Sequence, residues 1–79
     1  MCFNMPRVYL LISRSEQIQL MNVQLEEEFR PGAGDRLMFR LFGEEKVKEW
    51  GKRYGNLEIK VQDGAEKLDA DERIQVLND

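Results

Sequence analysis

One cysteine and no histidine in 79 residues leave this chain a single way to hold a fold together, an unstapled hydrophobic core. Cys2 alone closes no internal disulfide, and a structural zinc site built from one thiol and carboxylates is essentially unknown. The length fits one small domain spanning 1–79. A core of this size buries only about 60% of the surface of the unfolded chain and rarely supplies more than about 3–5 kcal/mol. Self-association is the expected source of further stability. The same scarcity removes the side chain most used as a general base near neutral pH, and with it Ser-His-Asp and Cys-His catalysis. A non-enzymatic role is favoured, with no cofactor and no metal expected.

The composition is that of a folding chain, 42% hydrophobic with a net charge of −3. The apolar run Val8 to Ile12 is shorter than the about 7–15 residues of a secretory core and far shorter than a membrane span. A cytoplasmic protein with no membrane partner is therefore expected. Charge is uneven along the chain: residues 1–29 carry two basic and four acidic side chains, 30–60 eight and five, and 61–79 two and six. The positive middle permits an anionic partner. Against this, a sequence pI near 5.0 is far from the value above about 9 usual for a nucleic-acid-binding domain.

Arg7 to Ser13 follows Pro6 and is rich in β-branched, aromatic and aliphatic residues, which predicts a strand buried on both faces. Ser15 and Glu16 open a helix on which Ile18, Met21, Leu25 and Phe29 recur at spacings of three, four and four. They share one stripe about 80° wide. A strand over the same residues loses its parity at Met21, so the helical reading is preferred. Arg30 to Asp35 breaks the chain with Pro31, Gly32 and Gly34. Arg36 to Phe42 then reads as a second strand, apolar on both faces at Leu37 to Phe42. Val47, Trp50 and Tyr54 share a face of a helix from Glu44 to Tyr54. Leu57, Ile59 and Val61 alternate with polar residues in a half-exposed strand, closed by a turn at Asp63-Gly64. Ala65 to Glu72 is a loop or one weak helical turn, and Arg73 to Leu77 an edge strand or a short helix.

The order β-α-β-α-β, with or without a last strand, predicts an α/β (α+β) two-layer sandwich of three to four strands and two helices. Two doubly apolar strands in a two-layer domain leave a sheet face that a symmetric partner chain would cover.

Four constellations carry possible chemistry. Arg30, Arg36 and Arg40, with Lys46, Lys48, Lys52 and Arg53 around Trp50 and Tyr54, are the residue types that grip nucleic acid through phosphates and stacking. Their ordinary reading is a core face of aromatics and a solvated face whose charges pair four apart. Asp35 with Glu58-Ile59-Lys60 matches the carboxylates and lysine of a Mg²⁺-dependent nuclease, but alternating charge on a solvated strand yields Glu-x-Lys without chemistry. The Gly-rich loop lacks the spacing and the following helix of a phosphate-binding fingerprint, and Glu26 to Glu28 and Asp69 to Glu72 match no calcium loop. Gly51 could mark a close helix-to-strand approach. Cys2 lies in an apolar arm with Met1, Phe3 and Met5, where a small hydrophobe is the usual role. The resulting expectation is a small intracellular interaction protein, homodimeric and of the kind often encoded by phages or mobile elements. Nucleic-acid binding is the alternative and a nuclease the further one.

Overall fold

The computed structural model describes residues 6–26, 35–55 and 57–77, with the Glu26 side chain left out. The chain forms β1 (Arg7–Ile12), α1 (Arg14–Glu26), α2 (Asp35–Phe42), α3 (Glu44–Tyr54), β2 (Glu58–Val61) and β3 (Ile74–Leu77). Two 3₁₀ turns, Ala65–Lys67 and Asp71–Arg73, join β2 to β3. The described residues make a small mixed α/β fold of three strands and three helices. The sheet order is β2-β1-β3, with β1 parallel to β2 and antiparallel to β3.

As the central strand, β1 is flanked by hydrogen-bonding partners on both sides, which accounts for its apolar run: Val8, Leu10, Leu11 and Ile12 are all buried. Register places Val8, Leu10 and Ile12 on one face with Ile59, Val61, Ile74 and Val76. That face carries the helices. Leu10, Ile12 and Trp50 form the buried centre, surrounded by Leu20, Met38, Phe42, Val47, Tyr54, Leu57, Val61 and Ile74. The Phe42 and Trp50 rings meet at 5.4 Å with a 58° tilt, a geometry aromatic quadrupoles favour. The helical face of Val47, Trp50 and Tyr54 is thus core, as its spacing predicts.

The expected strand at Arg36–Phe42 is a helix. Leu37 and Leu41, and Met38 and Phe42, stand four apart, while Arg36 and Arg40 stand four apart on the opposite side. Asp35 in the first turn and Arg40 in the last suit the helix dipole. Gly43, at φ 93°, lets the chain leave α2 and enter α3 through a conformation other residues avoid. With α2 helical, the observed order is β-α-α-α-β-β, and the expected bare apolar sheet face disappears. The second sheet face bears Arg7, Tyr9, Leu11, Glu58, Lys60, Gln75 and Leu77. Lys60 lies 5.6 Å from the Tyr9 ring centroid and 3.4 Å from the Gln75 oxygen, a largely polar and solvated arrangement.

Helix α1 starts one residue earlier than Ser15, because Ser13 is its N-cap. The Glu16 N–H donates to Ser13 Oγ at 3.2 Å and the Ser13 N–H donates to Glu16 Oε1 at 2.8 Å. This is a capping box, satisfying two otherwise unpaired amides at once. Glu16 also accepts from Arg73 Nη1 at 2.7 and 2.9 Å, and both side chains are buried, at 9% and 8% exposure. Arg73 Nε donates to the Leu68 carbonyl and the guanidinium lies 5.0 Å from the Phe42 ring centroid. Burial alone would raise the Glu16 pKa; the Ser13 amide and then Arg73 outweigh it and hold the carboxyl below 4.5.

Gly51 does not mark a close approach. A Cβ at this position meets nothing within 4 Å, and the residue is exposed on α3. Gly51→Ala is therefore expected to raise stability by about 0.5–1 kcal/mol, and Leu10→Ala to lower it by about 2–5 kcal/mol. Urea titration followed by fluorescence of Trp50, the one tryptophan, reads both. Glu16→Gln leaves Arg73 buried without its counter-charge and is expected to cost about 3–5 kcal/mol at pH 7. Because the folded Glu16 pKa is depressed, its contribution is present above about pH 4.5 and lost as pH falls through the lowered folded value. The stability gap between parent and Glu16→Gln should shrink as urea titrations are repeated from pH 6 down to pH 3.

Candidate interaction surface

Of the seven basic residues singled out from the sequence, Lys46, Lys48 and Arg53 are engaged with acids. Lys46 donates to Asp71 at 2.9 Å and stands 3.9 Å from Glu49; Lys48 meets Glu44 at 3.0 Å and Arg53 meets Glu49 at 3.4 Å. The Asp71 hydrogen bond is the main reason the Lys46 pKa rises. Lys52 is exposed on the same helix, while Arg36 and Arg40 sit on α2 instead of a strand, and Arg30 lies outside the described residues. The open surface lined by Glu45, Lys48, Glu49, Lys52 and Arg53 is thus a ridge of mixed charge. Tyr54 and Trp50, the aromatics that would stack bases, are turned into the core.

The residues of the nuclease reading lie on two different elements. Asp35 opens α2, whereas Glu58 lies on β2 beside Tyr9 and Lys60 is engaged with Gln75. Among the described residues, no three His, Cys, Asp or Glu side chains stand close enough to hold a metal ion. Of the acidic stretches, Asp69 to Glu72 is partly tied up: the Asp69 N–H donates to Glu72 Oε1, and Asp71 holds Lys46. Cys2, the glycine loop from 31 to 34 and Glu27 and Glu28 lie outside the described residues.

A groove does open at the C-terminal ends of the two parallel strands, where ligands of α/β sheets commonly bind. Ser13, Arg14, Ser15, Gln19, Leu41, Asp63 and Gly64 line it, with Glu16 and Glu66. Gly64 makes the turn at its rim with φ 83°, as the Asp-Gly pair predicts. The capping box consumes donors that could have held an anion, and Asp63 and Glu66 oppose one electrostatically. Among the described residues, every buried side-chain nitrogen and oxygen already has a hydrogen-bond partner.

Helix α1 is where the sequence reading and the structure part most usefully. The stripe of Ile18, Met21 and Leu25 faces outward, at 53%, 53% and 59% exposure, while Glu16 is buried, Leu20 packs against the core and Val23 is half-buried. At 100° per residue, the two sets lie on opposite sides of the helix. Phe29 lies outside the described residues. Among the described residues no helix is long and apolar enough to cross a membrane. Comparison with known proteins finds no family model, no curated protein and no solved structure that matches this chain.

The pairing of Lys46, Lys48 and Arg53 with carboxylates leads to a measurable expectation. Fluorescence anisotropy of a labelled single-stranded oligonucleotide should stay flat on addition of protein at about 0.15 M salt. A rise that falls steeply with added salt would instead make the α2–α3 surface a phosphate binder.

Proposed function

We propose that this is a small non-enzymatic protein acting through macromolecular interaction, and that it docks a second copy of itself on the outer face of α1. The observation that carries this reading is a helix apolar on two opposite sides. A helix of that kind is ordinarily covered on both, and only one side meets its own core. Full burial of an aliphatic side chain contributes about 1.5–3 kcal/mol, so covering three half-exposed ones is comparable to the whole stability of a core this small. A cytoplasmic setting fits a chain with one thiol and no cysteine to pair with it.

The test is the mass in sedimentation across dilution, comparing the parent with an Ile18→Glu/Met21→Glu double variant. The parent should sediment as a dimer at micromolar concentration, and the variant as a folded monomer with the parent's circular dichroism. A parent that is monomeric and stable throughout that range would defeat the reading.

A further inference from the structure

The outer stripe of α1 offers a few hundred Å² at most, against roughly 800 Å² per partner in a stable specific interface. If the self-docking proposed above is correct, a second element must contribute, and the β3 edge of the sheet has the properties needed. The Glu16–Arg73 pair fastens the start of α1 to the residue that leads into β3. The first turn of α1 is therefore tied to the point where β3 begins.

The two edges of the sheet are unlike. β2 exposes an apolar residue, Ile59, but sets it between the charged and exposed Glu58 and Lys60, which is how native edges discourage pairing. β3 reads Ile74-Gln75-Val76-Leu77, with no charge and no proline. Val76 and Leu77 are exposed at 47% and 40%. Val76 points to the helix side of the sheet, as its register partner Val8 does, yet the chain's own helices leave it open.

Backbone polarity shows what the edge can offer. The Gln62 N–H donates to the Ile12 carbonyl at 2.9 Å, so Ile12, and with it Leu10 and Val8, turn their backbone groups toward β2. Arg7 and Tyr9 then face β3, and their partners Leu77 and Gln75 complete that ladder. The N–H of Ile74 donates to Asp71 within the 3₁₀ turn. The outer edge is left with the N–H and C=O of Val76 and the C=O of Ile74.

We infer that two copies of this chain join antiparallel along β3, about a two-fold axis through Gln75, to make one continuous six-stranded sheet. In that register the Val76 N–H of each copy meets the Ile74 carbonyl of the other. The two Gln75 side chains oppose each other as uncharged neighbours. An axis perpendicular to the sheet keeps both helix layers on one side and sets the two Val76 side chains on the same face of the joined sheet.

The experiment places a cysteine at the axis in a background without the native thiol. Cys2→Ser/Gln75→Cys, Cys2→Ser/Lys60→Cys on the opposite edge, and Cys2→Ser alone are treated with a mild oxidant and run on non-reducing gels, with sedimentation of each beforehand. The expected result is a dimer of the Cys2→Ser protein and loss of the monomer band on oxidation of the Gln75→Cys variant, with the Lys60→Cys variant staying monomeric on the gel. Opposed Cβ atoms about 4.5–5.5 Å apart lie close to disulfide reach. A dimer that fails to cross-link at Gln75→Cys, or cross-links equally at Lys60→Cys, overturns the β3 axis and leaves docking on α1 standing. A monomeric Cys2→Ser protein removes both.

Discussion

The contact between Glu16 and Arg73 joins residues 57 positions apart and sits where three separate pieces of the chain must agree. Glu16 closes the capping box that starts α1, and Arg73 ends the 3₁₀ turn that delivers β3 to the sheet. The same guanidinium takes the Leu68 carbonyl as acceptor and lies over the Phe42 ring at the end of α2. A buried ion pair is often worth little against an apolar replacement. What this one supplies is register: its geometry is met only when α1, α2 and β3 are docked in one arrangement.

Much of this framework is legible in the sequence, and the exceptions have physical reasons. The β1 strand announces itself through Val8 to Ile12, α3 through Val47, Trp50 and Tyr54, and β2 through Leu57, Ile59 and Val61. Arg36 to Phe42 is read wrongly because five apolar residues among seven satisfy either period. The signal that decides is the spacing of Arg36 and Arg40, four apart, which on a strand would put both on the same face and leave nothing polar between. In α1 the element is right and its inner face is wrong. Ile18, Met21 and Leu25 form the cleaner stripe, but Glu16, once paired, becomes an inward residue and turns Leu20 to the core. No local pattern marks a glutamate whose partner arrives near the end of the chain, although Ser13 and Glu16 do spell a capping box.

The candidate surface changes accordingly. From the sequence, the motive for a partner is a bare apolar sheet; in the fold, that face is largely polar and, among the described residues, the exposed large apolar side chains are Ile18, Met21 and Leu25 on α1, Ile59 on β2 and Val76 and Leu77 on β3. Of the basic residues drawn together by the sequence, Lys46, Lys48, Lys52 and Arg53 share α3, and Lys46, Lys48 and Arg53 come with their own counter-ions. Charge alone carries little information about partners when acids and bases alternate along the same helix.

The position of β1 has a consequence for how the molecule is made. The central strand is the first element of the described chain, and both of its neighbours in the sheet are supplied by residues 58–77. Until those residues are available, β1 is an apolar strand with two open edges, and local helices can form without any sheet to settle on. Closing such distant pairs costs chain entropy before it returns any burial, which places this domain among the slower folders of its size. It also makes the interval before closure the time when Val8 to Ile12 is most exposed to pairing with the wrong strand.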